Sequence, residues 1–335
     1  MDRHLPTLIL ITLTGLCSGA VSRAQVPDHF SPDLQARLME DGNRYLEQGD
    51  LANADAIFFR LFDSLRANLG LYNAQQISAI DRILAVALAA RDHDRFIQYL
   101  GYHEQLVTRL YTGDTATLAS ELQRNARWHR AAAVTVDDEL RSWHLIRSRT
   151  LTWQSISALE TLPDTDLEIA ALLYQITLSH FELSNNASRR GRTSMEVRTD
   201  QPALVSGWAL SGSETDRRSY AIGTELLERI AGIYARQRAT AGTMARITTY
   251  QGDWHTLFDR HDRALTYYRQ AIGLLNNTSE RDELLQELFG QETAIPVAGF
   301  DVEGRHLQAL SSQTQRPGLA DIIDASAANI FGDQP

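Results

Sequence analysis

Lysine is absent from this 335-residue chain, so all 32 of its basic residues are arginine. Without lysine there is no Walker-type phosphate loop, no Schiff-base nucleophile and no Ser-x-x-Lys pair. Cysteine is nearly absent as well, with Cys17 the one thiol. That excludes an intrachain disulfide, a thiolate zinc site and cysteine ligation of an iron–sulfur cluster. An excess of positive charge is missing: the formal net charge is −10 and the pI about 5.5. Nucleic-acid binding is therefore disfavoured, because such surfaces are basic. Glycine and proline are sparse over long stretches, which favours helices. After the first 24 residues no apolar run is long enough to span a bilayer.

What the chain does have is 43% hydrophobic residues, enough for a substantial core. Residues 1–24 read as a secretory signal: Arg3, an apolar stretch Leu8–Leu16, and small residues at Ser22 and Ala24 before Gln25. Cleavage there removes Cys17, leaving a thiol-free mature chain suited to an oxidising compartment. A Pro-containing linker (25–32) follows.

Two stretches then share one pattern. In the first, Gly42 precedes Ala54 by twelve residues, Phe58 follows by four and Leu61 by three, with Tyr45 and Gly49 between. In the second, Gly252, Ala264, Tyr268 and Ala271 repeat the same offsets. Small residues let two antiparallel helices approach, and the aromatic fills the space between them. A fainter copy covers Ile77 to Tyr111, with Asp94 placed at its turn. The pattern resembles a tetratricopeptide repeat, and the chain resembles a repeat protein of a Gram-negative envelope. The resemblance implies an all-α fold, a right-handed solenoid of antiparallel helical hairpins with a concave binding face, and an adaptor rather than an enzyme.

The expected organisation is a signal (1–24), a linker (25–32), N-terminal helical repeats (33–184), a long polar loop (185–217), C-terminal repeats with a capping helix (218–290) and an irregular tail (291–335). Ser279 is the expected cap of the last helix, and Ile295–Val302 reads as strand-like. The polar loop holds Arg189, Arg190 and Arg192, a basic contact for an acidic partner, with Trp208 as an aromatic anchor. By family geometry Asn43 and Glu47 in the first unit, and Arg246, Thr249 and Asp253 in the last, face the groove. Asn43 matches the asparagine with which some relatives hold a partner's terminal carboxylate. Met39, however, stands where they have lysine, so that clamp is not carried over.

Ten histidines require acid–base and metal chemistry to be considered. His103-Glu104 begins like His-Glu-x-x-His, but Val107 occupies the second histidine's place. His261-Asp262, with His255 nearby, resembles the metal pairs of all-helical phosphohydrolases, yet it falls where a repeat turn is polar anyway. No Gly-x-Ser-x-Gly elbow and no Gly-rich phosphate loop are present. The expectation is a periplasmic, non-catalytic adaptor without cofactor or metal, binding a protein or peptide of the envelope. The alternatives are an all-helical envelope enzyme acting on glycan or phosphoester through carboxylates or a His-Asp site, and a structural subunit of an envelope complex.

Overall fold

The computed structural model describes residues 31–190, 212–290, 316–319 and 322. The expected signal, most of the linker, Arg192, Trp208 and the strand-like Ile295–Val302 lie outside the described residues. Among those described, eleven helices follow one another: α1 (Pro32–Glu47), α2 (Leu51–Leu69), α3 (Gln75–Ala89), α4 (His93–Tyr111), α5 (Thr115–Ala133) and α6 (Asp138–Leu159). They continue with α7 (Asp166–Arg190), α8 (Gly212–Arg236), α9 (Ala241–Leu257), α10 (His261–Leu275) and α11 (Arg281–Phe289). Consecutive helices pack against each other, and α1 also reaches α3 as α9 reaches α11. The architecture is all-helical and repeat-like.

Local chemistry sets the helix boundaries. Asp50, Asp92, Asp114 and Asp137 each cap a helix by accepting from the amide three residues on, and Ser31 and Thr240 do the same. Gly49, Arg91, Arg238 and Asp259 adopt positive φ between 54° and 75°. The amide of the following residue then donates back to a carbonyl five residues earlier, as Asp50 N does to Tyr45 O (2.9 Å) and Arg260 N to His255 O (2.8 Å). This is the Schellman arrangement that ends a helix and turns the chain. It moves the second turn to Arg91, three residues before the Asp94 expected there, and Asp94 lies in the first turn of α4.

The repeated pattern has a physical counterpart. The Phe58 ring lies on Gly42 and the Tyr268 ring lies on Gly252, so a methyl group at either glycine would overlap the ring. Ala54, Phe58, Leu61, Ala264, Tyr268 and Ala271 are all buried. The hydrophobic interior forms three clusters, one within α1–α5, one centred on α6–α9 and one on α9–α11. Between α5 and α6 the contact is more polar. Ser148 donates to the Ala126 carbonyl (2.9 Å) and Ser155 to the Ala119 carbonyl (3.0 Å), pinning one helix to the other's backbone.

Two boundaries differ from the sequence expectation. The helix expected to stop before Asn185 continues to Arg190, and the next begins at Gly212 rather than Arg218. The two helices extend each other: they pack together, and Ser184 is hydrogen-bonded to Asp216 near their facing ends. Ser279 does not cap α11, whose flanking residue Glu280 makes no side-chain cap bond.

Candidate functional site

The face of α9 expected to meet a partner is already covered. Thr249 is fully buried and Asp253 nearly so. Its cover comes from far along the chain: Arg316 donates through Nε and Nη2 to the two carboxylate oxygens of Asp253, both at 2.7 Å. The pair is bidentate and 1% exposed at the arginine. Tyr268 Oη donates to Asp253 Oδ1 (3.0 Å) and lies 3.0 Å from Thr256 Oγ1. Burial alone would weaken the arginine's hold on its proton, but Asp253 outweighs it and raises the pKa further. Burial, then the Asp253 charge, pushes the Tyr268 hydroxyl well above the usual tyrosine range, so it stays a donor.

Downstream of Arg316, Leu319 and Ile322 have helical backbone. Ile322 N donates to Gly318 O (3.1 Å), and Ile322 is buried against the cluster that includes Ala245, Leu284, Leu288 and Phe289. Leu319 packs on the same cluster. Arg246, the third expected residue on α9, pairs instead with Glu287 of α11 at 2.5 Å. Residues 316–319 and 322 of the tail thus dock where the groove of the last unit was expected.

At the other end of the stack Asn43 is half-buried on α1, its Oδ1 lacking a hydrogen-bond partner, and Glu47 is exposed. Arg189 and Arg190 end α7. The structure thus pairs Asp253 with one guanidinium, turns the Thr249 hydroxyl back onto the Ala245 carbonyl of its own helix, and leaves Asn43 and Glu47 on a separate helix. Sequence reasoning missed Arg316. Its visible signal was Arg316-Pro-Gly-Leu319, an arginine held extended by the following proline in a polar stretch.

A second polar constellation lies between α4, α5 and α6. His129 Nε2 is 3.1 Å from Glu104 Oε1, and His129 Nδ1 is 2.9 Å from His144 Nδ1. Arg147 also reaches Glu104. Burial would raise the Glu104 pKa, but the bonds from His129 and Arg147 outweigh it and hold it below the usual range. With Glu104 ionised, His129 donates from Nε2, so its Nδ1 accepts and His144 donates from Nδ1. That leaves His144 Nε2 a buried acceptor, and it has no hydrogen-bond partner. Burial, with His129 and His93 as lesser causes, lowers the His144 pKa to about 3. Trp143 packs edge-on to His144 with ring centres 4.8 Å apart. His103 is fully buried and its pKa is lowered by burial.

The other histidines weighed for chemistry are apart from this group. His255 is bonded to Tyr220 Oη (2.9 Å), and its ring lies 4.8 Å from that of Tyr267. His261 opens α10 instead of lying in the turn before it, and is exposed. Among the described residues no three His, Cys, Asp or Glu side chains converge as metal ligands, and no described helix is long and apolar enough to cross a membrane.

A cleft of about 250 Å³ opens between the α6–α7 turn and α8, lined by Glu160, Asp164, Asp166, Arg229 and Gln237 among others. It is smaller than the roughly 300–1,000 Å³ of a small-molecule site. Bonds from Arg229 to Glu160 (2.5 Å) and Gln237 to Asp166 (3.2 Å) tie its two walls together. No protein-family model matches this chain, and no curated protein matches it.

Proposed function

We propose that the chain is a helical-repeat adaptor of the tetratricopeptide type, without catalytic activity, working in the periplasm and binding a protein or peptide of the envelope. In this reading the hairpins form a right-handed stack whose concave groove is lined by the first helix of each pair.

The observation that carries it is the shared close contact at the two ends of the stack. Phe58 on Gly42 and Tyr268 on Gly252 follow one register, sixteen residues apart in each case. A single helical hairpin buries too little by itself, so such units stack, and the stack presents a long surface suited to an extended partner.

Photo-crosslinking in cells tests it. A crosslinkable residue placed at Asn43 or Glu47 should capture one defined envelope polypeptide. The same residue at Asp63 on α2 should not. Absence of a position-dependent adduct, or release of the protein with the cytoplasmic rather than the osmotic-shock fraction, would overturn the reading.

A further inference from the structure

The Arg316 segment occupies its place in the manner of a ligand. We propose that it is a self-ligand of the adaptor, and that the Asp253 pocket recognises an arginine of a partner polypeptide that carries apolar residues three and six places further on. This inference rests on the adaptor reading above and specifies the chemistry of its partner.

Three independent observations support it. First, the pocket is built for a guanidinium. Two coplanar N–H groups meet two carboxylate oxygens at 2.7 Å, and the Tyr268 hydroxyl also donates to one of them, Oδ1. A lysine ammonium lacks that fork. An ion pair this deeply buried adds little net stability over an apolar pair of the same volume, but it discriminates strongly between occupants.

Second, the fit is incomplete. Arg316 Nη1 is buried with no hydrogen-bond partner. The segment leaves a donor unsatisfied that an acceptor on a better-matched partner, placed beside its arginine, could satisfy.

Third, the contact has a peptide-like pattern. Arg316, Leu319 and Ile322 are the points of attachment, at intervals of three residues. They dock on Asp253 and on the apolar surface of α9 and α11, 63 residues from Asp253 at the arginine. Pro317 holds Arg316 extended before the turn begins, which lowers the ordering cost of binding.

Being tethered, the segment competes with any partner at an effective concentration on the order of millimolar. A partner must therefore bind well enough to displace it, and loss of the Arg316 contact should open the site.

The test uses the full chain and a labelled peptide of residues 312–326, with binding read by fluorescence anisotropy. The Arg316→Ala protein should bind this peptide about tenfold more tightly than the unaltered protein, as expected for weakening about tenfold an internal competitor whose effective concentration is on the order of millimolar and whose contact is on the order of ten micromolar. The same peptide with Arg316→Ala should lose at least tenfold, and so should the Arg316→Ala protein with Asp253→Asn added. Failure of the peptide to bind a folded Arg316→Ala protein, checked by circular dichroism, overturns the proposal and makes the segment a fixed strap.

If Arg316→Ala does not fold, hydrogen exchange on the unaltered chain decides instead. The Ile322 amide should exchange at least a hundredfold faster than the Tyr268 amide, because the segment releases on its own; equal rates overturn the proposal. A concentration-dependent dimer of the Arg316→Ala protein would also overturn it, by making a second copy the occupant. Should the peptide fail while crosslinks at Asn43 or Glu47 still capture a partner, this inference falls and the adaptor reading stands. The converse outcome separates them the other way.

Discussion

Neutral imidazoles hold the middle of the stack together, and that makes stability depend on pH. His144 is fully buried with its pKa lowered to about 3, and His180 is 8% exposed with its pKa lowered to about 3 by burial and by Arg149 and Arg218. Arg149 Nη1 lies 3.2 Å from His180 Nδ1, so that ring accepts and must be uncharged to do so. In the unfolded chain both histidines titrate near 6.5. Below that pH the unfolded state binds protons that the folded state refuses. The stabilisation is therefore complete above about pH 6.5 and is lost progressively as pH falls toward 3. Each such histidine costs at most about 1.4 kcal/mol per pH unit over that window. Thermal unfolding followed by circular dichroism should show a falling midpoint between pH 6.5 and 4.5, with no comparable slope between pH 7 and 8. Replacing both with glutamine, His144→Gln and His180→Gln, should make that limb shallower, the remainder coming from His103, His129 and His255, whose pKa values burial also lowers. A slope unchanged by the pair would place the acid sensitivity elsewhere. None of this was visible in the sequence, because ten histidines spread along the chain carry no mark of which ones are enclosed.

At the scale of the helix and its hairpin, what could be read was whatever left an asymmetric mark. Gly42 with Phe58 and Gly252 with Tyr268 were legible because a ring lying on a helix backbone demands a glycine beneath it. The second hairpin has the same turn, 42 residues after the first, but its space is filled from the opposite side. Leu84 stands where Gly42 does, Phe96 where Ala54 does and Leu100 where Phe58 does, all of them buried. Large residues distributed on both helices are indistinguishable from any amphipathic pair, so that copy read faintly and its turn was misplaced. The Gly42 contact predicts strong coupling. Gly42→Ala should destabilise by about 1–3 kcal/mol through overpacking, and Phe58→Leu alone by about 1–2 kcal/mol. Together they should cost clearly less than their sum, as denaturant midpoints in a double-mutant cycle would show. Additive losses would mean that the glycine is not required by the ring. The turns predict gains as well. Asp259 holds φ at 56° in the place where Gly49 holds 75°. A left-handed conformation strains a side chain more than the extra freedom of glycine costs the unfolded chain, so Asp259→Gly should stabilise by about 0.5–1 kcal/mol in urea titration. Gly49→Ala should lose about 1 kcal/mol. Stability shifts of the same sign from these two opposite substitutions would rule out the equivalence of the two turns.

For the whole molecule, the decisive question is whether the helices act as one globule or as a row of neighbours. The all-helical class followed from periodicity and from the scarcity of glycine and proline. The Arg316-Pro-Gly-Leu319 stretch could mark an arginine held extended, but not that it meets Asp253: the two lie 63 residues apart and only the folded stack brings them together. Contacts run mainly between consecutive helices, and the hydrophobic interior is divided among three clusters. The polar α5–α6 contact lies between the first cluster and the bulk of the second. In such a row, stability is close to a sum of unit and nearest-neighbour terms, and damage at one end decays along the stack. Local opening then occurs in contiguous blocks. Hydrogen exchange read by mass spectrometry resolves this directly. Gly42→Ala should lower the protection of α1–α3 while leaving α9 and α10 unchanged, and Gly252→Ala should weaken α9–α11 while sparing α2 and α3. Equal loss of protection in all eleven helices from either substitution would describe a single cooperative core. That result would remove the stack on which a long binding face depends.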